Sequence, residues 1–231
     1  MLGPVDYAIW FAILFADFFC AVCILKKKAF AQNFTIFLFV SASAVVGVAR
    51  YLLLETAGLR SNSYFYFYYY SDAVLTLCLF TVLMSLYAEV FSELGFGKMV
   101  RAGALLLLGG TALISYYMVA SSSERLITKF AYEMSQNLDF VGVILTYVLW
   151  GAMMKLRENR TRLMQLVLAL GVYLSAFAGS YALRNMYPDS PVLGHLIQLM
   201  ALWLPVSWAY TFVKVPEDAR MATARVVAPT R

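Results

Sequence analysis

Tyr64-Phe65-Tyr66-Phe67-Tyr68-Tyr69-Tyr70-Ser71-Asp72 sets seven consecutive aromatic residues directly ahead of a serine and a carboxylate. An apolar run then continues through Leu75, Leu77, Leu79, Phe80, Val82 and Leu83 to Phe91. The stretch reads as one membrane helix entering through an aromatic belt. Tyr and Phe favour the headgroup level, where the ring lies in the apolar layer and the hydroxyl reaches water. Helical residues advance ~100° each, so seven in a row cannot all face lipid and some phenols must point into a bundle. Asp72 then lies ~12 Å along the helix from Tyr64, at ~1.5 Å per residue. A carboxylate at that depth costs roughly 2–3 kcal/mol unless it is paired, hydrogen-bonded or wet. Asp72 therefore marks either the floor of an outward-facing polar pocket or a lock between two helices.

Composition places the whole chain in the same class. Apolar residues make up 62% of it and charged residues 13%, whereas an ordinary soluble domain is about half apolar and about one quarter charged. Mean hydropathy is +0.74. Seven spans can be drawn, over residues 5–25, 34–54, 64–91, 102–120, 130–156, 163–187 and 195–215. Each is long enough to cross a ~30 Å hydrocarbon layer. Backbone groups in lipid must bond internally, and continuous apolar runs of this length predict helices rather than the alternating strands of a barrel. The expected fold is an all-α integral membrane protein. The fifth span is clean only from Leu138 onward, so Ser121–Asn137 reads alternatively as an outer amphipathic segment. The polar tail, 216–231, is expected to be disordered. The first residues carry Asp6 and no Lys or Arg, so the basic region of a cleavable signal is missing and the first span is expected to stay in the membrane.

Charge sets the expected orientation. Thirteen of the 18 Lys and Arg residues, among them Lys26–Lys28, Lys98, Arg101, Lys155–Arg162 and Lys214, fall on one side of the spans; Arg50, Arg60, Arg125, Lys129 and Arg184 fall on the other. The positive-inside rule puts the N-terminus outside and the C-terminus in the cytoplasm, in a plasma membrane or bacterial inner membrane. The net charge of +5 sits in these short clusters, so it does not point to nucleic acid.

Ser41-Ala42-Ser43-Ala44 with Arg50 and Ser175-Ala176-Phe177-Ala178 with Arg184 share serine, alanine and arginine at the same spacing. Asp6 and Asp139 open spans one and five, and basic clusters close both. Spans one to three thus read as duplicated in spans five to seven, with span four as connector. This three-plus-one-plus-three parallel arrangement resembles the architecture of the SWEET sugar transporters. The resemblance is one of architecture. Those transporters carry proline motifs in corresponding helices of each repeat, whereas Pro205 has no counterpart in span three.

Polar residues gather in the outer third of the spans: Arg50, Asp72, Glu133, Gln136, Asn137, Asp139, Arg184, His195 and Gln198. The ligand-binding set drawn from them is Arg50, Tyr66, Tyr69, Tyr70, Asp72, Asn137, Arg184, His195 and Gln198. In it the arginines anchor a small polar or anionic ligand and the tyrosines stack on it. The plainer alternative is snorkelling arginines and structural ion pairs. Asp17 is the deepest charge, with Ser43 at similar depth in span two as its expected partner. A protonatable carboxyl in mid-membrane is a proton-relay candidate, and the plainer alternative is a neutral Asp bonded to the neighbouring helix.

Other chemistry finds little support. Cys20 and Cys23 form a C-x-x-C inside the first span, where packing thiols are expected. A single histidine argues against intramembrane zinc and bis-histidine haem. There is no nucleophile elbow, no Walker loop, no zinc-protease motif, and no lysine mid-span in span seven for a retinal Schiff base. No catalytic residue, metal site or cofactor is expected. Gly171, Ser175 and Gly179 in span six, with Ser43 and Gly47 in span two, are spaced for close helix approach. Three functions stay open: a small-solute permease, a non-catalytic membrane subunit or scaffold, and a ligand sensor signalling through a separate partner. The expected partners are the bilayer, a small ligand, and a second copy or another membrane protein.

Overall fold

In the computed structural model the apolar runs form seven helices: α1 (Pro4–Lys26), α2 (Phe34–Ala57), α3 (Asn62–Val90), α4 (Gly97–Ala120), α5 (Leu126–Lys155), α6 (Thr161–Met186) and α7 (Pro191–Lys214). The structure describes residues 3–27, 29–91, 97–120, 126–156, 158, 160–186 and 191–217, and no β-strand occurs among them. Local chemistry sets several ends. Pro4 stands in the first turn of α1, and the Asp6 carboxylate accepts the Gly3 N–H at 2.8 Å. The Ser61 hydroxyl caps α3 by accepting the Tyr64 N–H at 3.1 Å. Gly58 ends α2 at φ +80°, a conformation that costs a side-chain-bearing residue steric strain.

Helices α1 to α6 are each long and apolar enough to cross a membrane. Their outward surfaces support that reading, since Phe15, Phe18, Val45, Leu105, Leu106, Tyr117 and Met154 are all exposed. In water such a surface would be a large aggregation patch; in lipid it is the solvated face. Residues 126–137 are helical and continuous with the rest of α5, so the fifth span begins well before Leu138. Residues 121–125 and the tail from 218 lie outside the described residues.

Six helices close a ring. α1 packs between α7 and α2, α3 between α2 and α5, and α6 between α5 and α7. α4 stays outside this ring, lying on α5 and more lightly on α3. Inside, the bundle has two storeys. The half holding the C-terminal ends of α1, α3, α5 and α7 is a dense apolar plug around Cys20, Ile24, Leu83, Leu170, Trp208 and Phe212. Cys20 and Cys23 serve there as packing thiols. The Trp208 indole N–H donates to the Leu166 carbonyl at 3.3 Å, and Phe39 meets the Trp208 ring edge-on. The other half encloses a cavity.

Two close approaches shape the ring. A Cβ on Gly47 would lie 2.6 Å from Leu14 Cδ2, and one on Gly171 would lie 3.0 Å from Thr146 Cγ2, so these glycines let α2 meet α1 and α6 meet α5. Gly179 differs from the expectation: nothing lies within 4 Å of its missing Cβ, so it is no packing contact.

Candidate functional site

The cavity of about 350 Å³ is bounded by α1, α2, α3, α5, α6 and α7. It spans from Asp6, in the first turn of α1, to Asp17, near the middle of that helix, a depth of roughly 16 Å at ~1.5 Å per residue. α3 contributes Tyr64, Tyr68, Asp72, Leu75, Thr76 and Leu79. These positions follow the three- and four-residue spacing of one helical face. Stepping back by fours from Asp72 reaches Tyr68 and Tyr64, and this signal in the sequence separates the cavity tyrosines from their neighbours.

Arg50 is the best-held group in the wall. Its Nε donates to the Ser71 hydroxyl at 2.9 Å and its NH2 to the Tyr68 carbonyl at 3.0 Å. The same NH2 lies 3.7 Å from Asp72 Oδ1, and the guanidinium sits 4.2 Å from the centroid of the Tyr68 ring. Ser71 in turn donates to the Tyr68 carbonyl at 3.0 Å. Together these contacts lock α2 to α3 and fix Asp72 as the partner of Arg50.

Asp17 forms the polar floor. It is 2% exposed, and Ser43 Oγ donates to its Oδ2 at 2.7 Å. Asp139 stands in the wall near the middle of α5, 7% exposed, and none of the described residues offers it a hydrogen bond or a counter-charge. Asp72 and Tyr173 line the same space. At the cavity's upper end the Gln198 amide donates to Asp6 Oδ1 at 3.4 Å, while its Oε1 is buried without a partner among the described residues. Pro205 of α7 has no N–H, which removes the α-helical donor to the Ala201 carbonyl; both residues line the cavity.

Among the residues singled out from the sequence, Arg50, Asp72, Gln198 and Asp17 converge on this one space. Four others are placed elsewhere. The Tyr69 ring packs on Tyr132 of α5 and on Phe65, and Tyr66 stacks on Tyr70. The helix rotation that turns Tyr64 and Tyr68 inward carries these three rings out of the cavity wall. Asn137 donates to Ser115 Oγ at 3.0 Å and so ties α5 to α4, outside the ring. The side chains of Arg184 and His195 lie outside the described residues.

Asp139, Tyr64, Tyr68, Trp10 and Tyr173 were missing from the predicted ligand set. The sequence pattern sets Asp139 beside Asp6 as the opening of a span. Asp6 does sit in a first turn, but Asp139 is about halfway along α5.

The arrangement can hold a small molecule between carboxylates and aromatic faces at membrane depth. Among the described residues no three His, Cys, Asp or Glu side chains are grouped to hold a metal ion. No protein-family model matches the chain, and neither does any curated protein or solved structure.

Proposed function

We propose that this chain is a small-solute permease whose substrate occupies the ring-enclosed cavity. The observation that carries the reading is the pairing of two storeys: a polar, aromatic space reaching mid-membrane, closed on the far side by a packed apolar plug. That is the form of one end state of alternating access, with the site near the bilayer midplane. Volume agrees, because small-molecule sites commonly start at about 300 Å³. The basic clusters support an orientation with the cavity end outside and the plug in the cytoplasm, in a plasma or bacterial inner membrane. The ring also supports a parallel repeat. Its order of neighbours reads the same from α1 as from α5, with α4 as the unmatched connector. A role as scaffold or subunit would use the same packing faces, yet it gives no task to Asp139, which has no partner among the described residues.

Access can be tested without knowing the substrate. Cys20, Cys23 and Cys78 are replaced by alanine and Thr76, in the cavity wall, by cysteine. Membrane-impermeant maleimide is then applied to right-side-out and to inverted vesicles. A permease exposes Thr76→Cys to both sides in turn. Labelling from one side only would remove the permease reading in favour of a sensor or scaffold.

A further inference from the structure

We infer that the cavity takes a small organic monocation, an ammonium group on an apolar or aromatic body, with Asp139 as its counter-ion. This rests on reading the cavity as a substrate site and specifies that site's chemistry. Charge is the first ground. Among the described residues four aspartates line the wall against one guanidinium, and that guanidinium is already engaged by Asp72, Ser71 and the Tyr68 carbonyl. An anionic solute would have to displace Asp72 from Arg50 and would then face Asp17 and Asp139.

Hydrogen bonding is the second ground. Among the described residues Asp139 and the Gln198 Oε1 are acceptors in or beside the wall that lack a donor, and Pro205 withholds the usual helical donor from the Ala201 carbonyl. An ammonium group brings N–H donors and no acceptor, together with the missing positive charge. The third ground is the aromatic lining. Trp10, Tyr64, Tyr68 and Tyr173 surround the same space, and aromatic faces attract cations, more strongly when water is excluded. A bare metal ion fits worse, because the carboxylates are spread around the cavity and do not converge among the described residues.

The test uses three probes of one shape and different charge: benzylammonium, benzyl alcohol and benzoate. Each is added to the purified full chain in detergent, and the thermal midpoint is followed, since a ligand that binds only the folded state raises it. Subtracting the response of an unrelated membrane protein in the same detergent removes the effect of probe dissolved in micelles. Benzylammonium should raise the midpoint of the native chain by several degrees near saturation, with the other two inert. Asp139→Asn should weaken its binding at least roughly tenfold, and Asp139→Glu should retain most of it. Equal stabilisation by all three probes, preference for benzoate, or unchanged benzylammonium binding in folded Asp139→Asn would overturn the inference. If Asp139→Asn does not fold, Gln198→Leu makes the test from α7, where weakened binding supports the inference and unchanged binding overturns it. Proteoliposomes separate this inference from the permease reading. Benzylammonium that binds but does not enter them supports the substrate class and overturns the permease. Benzoate uptake with no response to benzylammonium does the reverse.

Discussion

Ser43 on α2 donates a 2.7 Å hydrogen bond to Oδ2 of Asp17 on α1, joining two helices at the floor of the cavity. Hydrogen bonds between membrane helices average ~0.6 kcal/mol and reach ~1.7 kcal/mol. Ser43→Ala is expected to lower stability within that range, measured by unfolding in mixed detergent. Asp17→Asn keeps an acceptor for Ser43 but cannot exchange a proton. It should leave the thermal midpoint within a few degrees of the native value while uptake is lost. Native uptake in Asp17→Asn would end Asp17's candidacy as a proton relay.

Arg50 and Asp72 form a coupled pair. Removing either leaves its partner in the wall without a counter-charge, so each single alanine variant should be less stable than the double variant implies. A double-mutant cycle is expected to give a coupling of roughly 0.5–3 kcal/mol. Arg50→Lys should recover only part of it, because an ammonium lacks the planar fork that serves Ser71, the Tyr68 carbonyl and the Tyr68 ring together. Additive single losses would show that the two side chains act independently.

The two glycines of the packing stripes should separate. Gly47→Val sets a branched side chain against Leu14 and should cost about 1–3 kcal/mol, the usual range for overpacking. Gly179→Val meets open space and should change stability by no more than about 0.5 kcal/mol. Thermal midpoints of the two variants side by side decide it. Equal losses would contradict the close approach of α1 and α2.

Asn137 belongs to the seam between α4 and α5. Asn137→Ala should loosen α4, with a loss of about 0.6 kcal/mol in line with other interhelical bonds. It should leave benzylammonium binding unchanged. Limited proteolysis of the connections flanking α4 would report the loosening, and a selective loss of binding would return Asn137 to the ligand set.

The spans were legible because lipid imposes a demand that leaves little choice: long apolar runs must be helices, and polar groups inside them need partners. Asp17 with Ser43 followed from depth alone, since the two residues lie equally far down adjacent spans. Arg50 and Asp72 were visible as opposite charges near one interface. Rotation about the helix axis was harder to read. In the run from Tyr64 to Tyr70 every position is aromatic, so composition cannot say which rings face inward; only the stripe set by Asp72, Tyr68 and Tyr64 does. Asn137 illustrates the same limit. It shares the depth of the cavity residues but faces α4, and which helices form the ring is a tertiary fact. Asp139 was misplaced in depth because α5 begins earlier than its clean apolar core.

The position of α4 bears on how the chain is made. In the parallel repeat proposed above, three crossings would leave a nascent chain on the side of the bilayer opposite to where it began, so a second triplet joined directly would enter upside down. One extra crossing restores the original sense of entry. α4 can supply that crossing from the periphery because its place is outside the ring and none of its described side chains lines the cavity. For that crossing its hydrophobicity and its timing during insertion matter more than its exact sequence, apart from Ser115, which holds Asn137 of α5.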